Sequence, residues 1–247
     1  MYEQRAANEE RRAAAEVMGF RQKVRLLSLV DILEPLSLES LQRFAKRTPT
    51  MHLRNDRLFH TPSRRGGPIT LLLEGKARIY KEAAGKELTL AIMDAGALSG
   101  EGTLTAQQLQ GVYARTMAPS TVALVKPDQL RWLIGEEPEV GMKIVEVLSE
   151  RLSEYGEKMA DLGRKSVLGR VANLILQLLQ SEGVVGREDY RIPTPYTHAE
   201  LANMVGADRV AVTKALTKLR RENCIEIVQR YIHVSDQESL KRISRQG

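Results

Sequence analysis

The sequence has a single cysteine, Cys224, among its 247 residues. Intramolecular disulfides are therefore impossible, and a metal or iron–sulfur centre held by several thiolates is excluded. Histidine is also scarce, and the four residues His52, His60, His198 and His233 show no metal-ligand spacing. We therefore expect no metal and no resident cofactor. The lack of disulfides fits a reducing cytoplasm.

Aromatic residues and long apolar runs are rare as well. Aromatic side chains make up only 4% of the sequence, which argues against stacking platforms for single-stranded nucleic acid. No run of about 18 apolar residues occurs, so no membrane-spanning helix is expected. The charged N-terminus, with Arg5, Glu9 and Arg11, lacks the apolar core of a secretory signal. We therefore expect no membrane partner.

The sequence does have a mild excess of positive charge, because 37 Lys and Arg residues stand against 31 Asp and Glu residues, for a net charge of +6. Such an excess suits an anionic partner, but it also occurs in proteins that are merely soluble. These two interpretations can be distinguished only by where the basic residues lie along the chain.

Composition changes along the chain. Residues 1–24 are rich in Ala, Arg and Glu and predict a helical extension, which is either a solvated helix or a functional arm. Residues 25–137 begin with short helices, one of which Ser37 is expected to cap. Glycine turns then separate the expected strands at residues 70–73, 77–80, 88–93 and 121–125. This pattern is typical of an antiparallel barrel or sandwich, whose interior is a natural pocket.

A long helix is predicted at residues 138–166. Its apolar residues recur at alternating intervals of 3 and 4, the pattern of a coiled-coil seam. The seam consists of Val145, Leu148, Leu152, Tyr155, Met159 and Leu162. A helix of about 40 Å with such a seam needs a partner, and an intramolecular core face would suit a shorter helix. We therefore expect a parallel homodimer, with Met142, Ile144 and Val147 turned toward the strand-rich segment.

Residues 167–247 have the pattern of a winged helix-turn-helix. Thr197 and Glu200 have the spacing of a capping box that opens one helix. Gly206 then stands where a tight turn requires a positive φ, and Asp208 is expected to cap the second helix. The inner stripe of that second helix is Val212, Ala215, Leu216 and Leu219. Two alternating stretches, at residues 224–228 and 231–234, predict the wing.

The outer face of the second helix is basic. It carries Asp208, Arg209, Val210, Thr213, Lys214, Thr217 and Lys218. An exposed basic helix fits the major groove of double-stranded DNA, where its N-terminal residues reach the base edges. We expect Arg209 and Lys214 to read guanine, and Val210 to pack on a thymine methyl group. Phosphate contacts are expected from Thr197, His198 and Lys218. The alternative is a structural three-helix core with solvated basic residues.

With these elements in order, the chain after residue 25 resembles the superfamily of the cyclic-AMP receptor protein and the fumarate–nitrate regulator. The resemblance rests on residues 73–80 (Leu-Glu-Gly-Lys-Ala-Arg-Ile-Tyr), on Gly100-Glu101 and on residues 197–219. It implies an α+β fold with an N-terminal antiparallel β-roll sensor at residues 25–137, a dimerisation helix at 138–166 and a winged helix-turn-helix. It also implies a transcription activator that binds a palindromic operator as a homodimer, with RNA polymerase as a partner.

Within that superfamily, residues 209–214 (Arg-Val-Ala-Val-Thr-Lys) are most similar to the cyanobacterial global nitrogen regulator branch. The cyclic-AMP branch has an acidic residue at the position of Val210. It also places an Arg-Ser pair for phosphate where this sequence has Gln110-Gly111. We therefore do not expect cyclic AMP to be the effector. The iron–sulfur branch requires N-terminal cysteines, which are missing.

The nitrogen-regulator branch binds 2-oxoglutarate with one arginine from the β-roll and one from the dimerisation helix. Arg151 matches the helical arginine, but Gln110 stands in place of the other unless Arg115 points inward. Losing one such charge-assisted contact costs about 1.5–3 kcal/mol. The resemblance thus implies an effector site that includes Gly100, Glu101 and Arg151. Either 2-oxoglutarate, another small metabolite, or regulation through abundance without any ligand is compatible with it.

Two other classes of function compete with a DNA-binding regulator. A ligand-binding β-roll module that acts as an accessory sensor, without direct DNA readout, would not need the exposed basic helix. An enzyme acting on nucleic acid is disfavoured, because the sequence shows neither a phosphate-binding glycine loop nor a Ser/His/Asp arrangement. The expected function is therefore sequence-specific regulation of transcription, not catalysis.

Overall fold

A computed structural model describes residues 19–61, 67–83, 85–100, 104, 111–185 and 190–245. These residues form two compact units. The first comprises the described parts of residues 1–83 and 90–151, and the second those of residues 84–89 and 152–247. Most of the predicted extension, residues 1–18, lies outside the described residues. The expected α+β fold, with antiparallel sheets and a C-terminal helix-turn-helix, is confirmed.

Two antiparallel sheets form the centre of the first unit. Helices α1 (Phe20–Leu27) and α2 (Leu38–Arg47) come first, separated by a short 3-10 turn. The strands are β1 (Thr50–Leu53), β2 (Leu58–His60), β3 (Ile69–Glu74), β4 (Ala77–Ala83), β5 (Lys86–Met93), β6 (Leu98–Ser99), β7 (Val112–Thr116) and β8 (Ser120–Val125). They pair in the orders β1-β8-β3-β6 and β2-β7-β4-β5. Helix α3 (Pro127–Glu136) and the start of α4 (Pro138–Arg164) follow.

Side-chain alternation along β3 explains how these layers pack. Leu71 pairs with Ala123 of β8, and both face the cluster formed by the helices. The next pair, Leu72 and Val122, faces the opposite way and packs against Ile79 of the second sheet. Successive residues of a strand point to opposite faces, so one sheet serves two cores. The sequence of β3 therefore has three successive leucines, residues 71–73, in place of alternating apolar and polar residues.

The start of α4 joins the first of these cores. Val140 and Ile144 are buried there, and Val147 packs against them. The expectation for Ile144 and Val147 is therefore confirmed, whereas that for Met142 is wrong, since its side chain is 61% exposed. Met142 lies two residues from both Val140 and Ile144, about 200° around the helix, so it faces the opposite side.

The second unit contains the rest of α4 and the C-terminal elements. These are α5 (Val167–Glu182), β9 (Val184–Val185), β10 (Tyr190–Ile192), α6 (His198–Val205), α7 (Arg209–Arg221), β11 (Ile225–Val228), β12 (Tyr231–Val234) and α8 (Gln237–Ser244). Helix α5 packs on α7 and α8, and the strands pair in the order β11-β12-β10-β9. Residues 85–89, which include the start of β5, also belong to this unit.

Caps mark several helix starts. The Ser37 hydroxyl accepts a hydrogen bond from the backbone N–H of Ser40, as expected for the cap of α2. The Ser166 hydroxyl accepts from the Gly169 N–H and so begins α5 directly after α4. In the part of the chain that the structure describes, no helix is both long and apolar enough to cross a membrane.

The turn between β3 and β4 provides a test of the first unit. Gly75 has φ +93°, and a β-carbon there would lie 2.3 Å from Ser120 Oγ and 2.5 Å from the Pro119 carbonyl oxygen. Gly85 also has a positive φ, but a β-carbon there would meet nothing within 4 Å. We expect Gly85→Ala to cost only the left-handed strain of about 1–2 kcal/mol. Gly75→Ala should lower the melting temperature more, as measured by circular dichroism. Equal losses would show that the close approach at Gly75 is unimportant.

Candidate nucleic-acid interface

The first helix of the helix-turn-helix, α6, starts with a complete capping box. The Thr197 hydroxyl accepts from the Glu200 backbone N–H at 3.1 Å, and the Glu200 carboxylate accepts from the Thr197 N–H at 2.7 Å. The helix ends at Gly206, which has φ +63°. Both features were expected from the sequence, and together they fix the length of α6. Because the Thr197 hydroxyl also donates to Glu200, it is committed to the cap.

Helix α7 has one buried face and one exposed face. The predicted inner stripe is buried and consists of Val212, Ala215, Leu216 and Leu219. On the outer face Arg209, Lys214, Thr217 and Lys218 are exposed, and the apolar side chain of Val210 is 65% exposed. A valine so exposed at the start of a helix contributes little to the core. It is available to a partner that brings its own apolar group.

Two further residues of the predicted site meet at the junction of the helices. His198 Nδ1 lies 2.9 Å from Thr213 Oγ1. The Thr213 hydroxyl also lies 2.9 Å from the Arg209 carbonyl oxygen, to which it donates. The start of α6 and the outer face of α7 therefore form one continuous surface. Lys218, at the far end, lies 3.9 Å from the Glu222 carboxylate, in an exposed pair of little strength.

Asp208 occupies the N-cap position of α7, but its side chain makes no capping hydrogen bond. The expected cap is therefore wrong. Its carboxylate is instead oriented toward Lys86, whose ammonium group lies 3.5 Å from Asp208 Oδ1. The carboxylate is thus directed away from the helix N-terminus, and the first N–H groups of α7 receive no acceptor from it.

Arg170 connects the helix-turn-helix to the helices that precede it, although no sequence pattern predicted this role. Its Nε donates to the Val205 carbonyl oxygen at 3.0 Å, and its Nη1 donates to the Lys165 carbonyl oxygen at 2.9 Å. It therefore joins the end of α6 to the junction between α4 and α5. From sequence alone this arginine is indistinguishable from any charged residue on a helix.

The wing is the hairpin of β11 and β12, close to the expected bounds. Its two tip residues, Gln229 and Arg230, have φ +49° and +72°. Arg230 donates to the Pro195 carbonyl oxygen at 3.1 Å, which ties the tip to the loop before α6. The hairpin was expected from the sequence, but neither tip residue was among the expected site residues. The signal was the two-residue spacing between alternating strands, which is typical of a primed turn.

The predicted dimer seam lies along α4. In the single chain Val145, Leu148, Leu152, Met159 and Leu162 are all exposed, with Leu152 at 73%. Tyr155 is half-buried. A row of large apolar side chains on one helix face is unfavourable in water. The seam is therefore a surface that a partner would stabilise.

Of the expected effector residues, the structure describes Gly100 and Arg151, while Glu101 and Gln110 lie outside the described residues. Gly100 directly follows β6. The Arg151 guanidinium donates to the backbone carbonyl of Leu98, so it lies beside that strand.

Arg115 does not point into the β-roll. Ala114, its neighbour on β7, is buried between the two sheets, so alternation places Arg115 on the opposite face. There its Nη1 donates to Asp56 at 2.9 Å and its Nη2 to the Tyr80 hydroxyl at 3.5 Å. These bonds raise the pKa of Arg115 above its ordinary value. Arg115 therefore cannot replace the missing arginine of a 2-oxoglutarate site.

No cluster of three or more His, Cys, Asp or Glu side chains suited to a metal ion occurs among the described residues. Cys224 is buried directly before β11, and burial raises the pKa of its thiol. The chemistry that the arrangement does offer is an exposed basic helix with threonine hydroxyls and one apolar side chain at its N-terminal end. This combination suits the edges of base pairs and the phosphates beside them.

Comparison with known proteins agrees with this geometry. Residues 169–243 match the family described as the Crp-like helix-turn-helix domain. The chain is 31% identical over 190 residues to a CRP-like cAMP-activated global transcriptional regulator of Mycobacterium tuberculosis (strain CDC 1551 / Oshkosh), covering 75% of this chain and 85% of that protein. It is 26% identical over 179 residues to the global nitrogen regulator of Synechocystis sp. (strain ATCC 27184 / PCC 6803 / Kazusa), covering 70% of this chain and 79% of that protein.

Solved structures show the same architecture. A mutant of CooA from Carboxydothermus hydrogenoformans superposes with a TM-score of 0.75 at 22% identity, covering 87% of this chain and 95% of that one. The c-di-GMP responsive global regulator CLP of Xanthomonas campestris gives a TM-score of 0.73 at 20% identity, covering 80% of this chain and 99% of that one. At these identities the likeness concerns the fold alone.

Proposed function

The chain belongs to the CRP/FNR family of transcription regulators, and from this premise we propose that it binds a palindromic operator as a homodimer and activates transcription. It is a DNA-binding regulator of the helix-turn-helix class and not an enzyme. We place its action in the cytoplasm, with RNA polymerase as the partner that an activator must contact. Within the family, the similarity of residues 209–214 favours the nitrogen-regulator branch.

The observation that carries the proposal is the two-faced structure of α7. Its apolar stripe is buried while Arg209, Val210 and Lys214 are exposed at its N-terminal half. In a helix-turn-helix the N-terminal residues of the second helix meet the base edges. Arg209 and Lys214 can donate to the O6 and N7 atoms of guanine, and Val210 can pack on a thymine methyl. These side chains are therefore already exposed and can contact base pairs without first moving to the surface.

Phosphate contacts would fix the register of α7 on the duplex. His198 and Thr213 lie together beside the start of α6, and Lys218 is exposed at the opposite end of the surface. Contacts at both ends of a recognition helix determine its orientation without carrying sequence information. Thr197 contributes indirectly by fixing the start of α6, since both its hydroxyl and its backbone N–H are bonded to Glu200.

Dimerisation through α4 would bring two recognition helices to one operator. A twofold dimer demands a palindrome whose half-sites lie about one helical turn apart, roughly 10–10.5 bp. By similarity to the nitrogen-regulator branch, each half-site should be closer to GTA than to TGTGA. The exposed seam from Val145 to Leu162 supports this assembly, because it would be buried on pairing.

For the effector we propose a small metabolite other than cyclic AMP, 2-oxoglutarate being one candidate. Gln110-Gly111 lacks the phosphate donors of the cyclic-AMP branch, although several relatives, the 31% identical one among them, are by name cAMP-activated. Arg151 lies beside β6, where it can supply one cation to an acidic ligand. With Arg115 bound to Asp56, the second cation of a 2-oxoglutarate site must come from elsewhere.

The assembly can be tested at the seam. Leu152→Arg places two guanidinium groups at the centre of the predicted interface, where unpaired buried charge is strongly destabilising. We expect monomers by analytical ultracentrifugation at micromolar concentration, together with loss of operator binding. Ser153→Arg is the matched control, because the neighbouring position is exposed and lies off the seam. A dimer of unchanged mass for Leu152→Arg would rule out this interface.

Selection of bound DNA from random duplexes tests the readout. Val210→Glu introduces an acceptor for the amino group of cytosine, so preference at the facing base pair should shift from A·T to G·C. Arg209→Ala should cost about 1–3 kcal/mol and relax the preference for guanine. Lys218→Ala, the control, should weaken all sequences alike. If Val210→Glu selects the same half-site as the wild type, the proposed register of α7 is wrong.

The effector proposal predicts the absence of a thermal response to cyclic AMP. A ligand that binds the folded protein raises its apparent stability by mass action. We therefore expect no change in melting temperature with cyclic AMP at physiological concentration, while 2-oxoglutarate and other metabolites are screened in parallel. A rise of several degrees at micromolar cyclic AMP would contradict the proposal.

A further inference from the structure

Residues 86–89, which we call the β5 clamp, contact the helix-turn-helix in the second unit. The ammonium group of Lys86 lies 3.5 Å from Asp208 Oδ1, at the N-cap of α7. The next residue, Glu87, accepts a hydrogen bond from the side-chain amide of Asn203 on α6 at 3.2 Å. Two adjacent residues of the clamp are therefore bound to the two helices on either side of the turn.

The remaining two residues of the clamp complete the attachment. A β-carbon on Gly206 would lie 3.2 Å from Leu88 Cδ1, so this leucine packs directly on the turn. The backbone carbonyl of Thr89 accepts a hydrogen bond from Lys158 of α4. Burial lowers the pKa of Lys158 to about 8. An ammonium group is thus desolvated where it makes this bond, which attaches the clamp to α4.

These contacts place Lys86 at the end of α7 that approaches DNA. The N-terminal residues of a recognition helix reach the base edges, and the phosphates of the same half-site pass beside them. The side chain of Lys86 is 81% exposed and that of Asp208 is 78% exposed. An exposed ion pair of this kind contributes about 0–1 kcal/mol, so a phosphate oxygen can take the place of Asp208 at little cost.

The clamp leaves the reading surface open. Arg209, Lys214 and the 65% exposed Val210 remain accessible while Lys86 is bound to Asp208. Asp208 is also the acidic residue at this end of α7, and on its own it would repel the DNA backbone. The neighbouring ammonium group offsets that charge. The contact therefore does not obstruct DNA binding.

We infer that Lys86 is a DNA-binding residue outside the helix-turn-helix, whose ammonium group contacts a backbone phosphate beside the N-terminus of α7. Glu87, Leu88 and Thr89 are positioning residues that hold it there. The inference rests on the proposed function, since it assumes that α7 enters the major groove. The ligand chemistry is that of a phosphodiester, so Lys86 affects affinity and its dependence on salt but not the choice of base.

The test measures the dissociation constant of the full-length protein for its selected operator, by fluorescence anisotropy, over a range of salt concentrations. Each phosphate contact contributes about 0.9 to the slope of log K against log salt, and a dimer loses two such contacts in Lys86→Ala. We expect the slope to fall by about 1.8 and the affinity at 0.1 M salt to drop about 10-fold or more. Operator and unrelated duplexes should be affected alike, and Lys86→Arg should retain the slope.

Lys241→Ala is the matched control, because it removes the same charge from α8, where Lys241 is bound to Glu238 at 2.6 Å. Its slope should equal that of the wild type. Lys86→Ala with an unchanged slope would overturn the inference, as would an equal fall for Lys241→Ala, which would reveal an effect of net charge alone. A wild type that binds no duplex would instead overturn the proposed function. Circular dichroism of Lys86→Ala should match that of the wild type, because the substituted side chain is exposed.

Discussion

The turn at Gly206 is the constraint on which the DNA-binding unit depends. Its φ of +63° sets the angle between α6 and α7, and Leu88 and Leu162 approach it so closely that a β-carbon would lie only 3.1–3.2 Å from them. Arg170 fixes the same end of α6 by binding the Val205 carbonyl. The orientation of the reading surface is therefore determined by a single backbone conformation supported from several sides. A side chain at this position would strain the turn and displace its neighbours together.

In both units, single helices and strands have two faces with different roles. Strand β3 uses its two faces for two cores, one against helices and one against the second sheet. Helix α7 buries one stripe and leaves the other exposed, and α4 likewise exposes its apolar seam. In each case the buried face is what makes the element stable, since isolated helices and strands are marginal in water. The exposed faces are then free to carry recognition.

Much of this architecture could be predicted from the sequence, because its signals are local. The capping box of Thr197 and Glu200, the turn at Gly206 and the long seam each lie within a few residues or repeat regularly. Strand β7 was not recognised, because its inward residues Val112, Ala114 and Thr116 are small or polar and give no clear apolar alternation. The cap expected of Asp208 is not formed, and Lys86, the residue that its carboxylate faces, lies 122 residues away in the sequence. Contacts at that separation leave no trace in local patterns.

The exposed seam of α4 has a consequence for the amount of protein in the cell. When pairing is required for operator binding, and the chain is more dilute than its dimer dissociation constant, the concentration of dimer follows the square of the chain concentration. Halving the supply then lowers the active species about fourfold. Synthesis and degradation of the chain would then themselves control the amount of active dimer. The dimer dissociation constant depends on seam residues such as Leu152 and Met159. It would set the chain concentration at which this control operates.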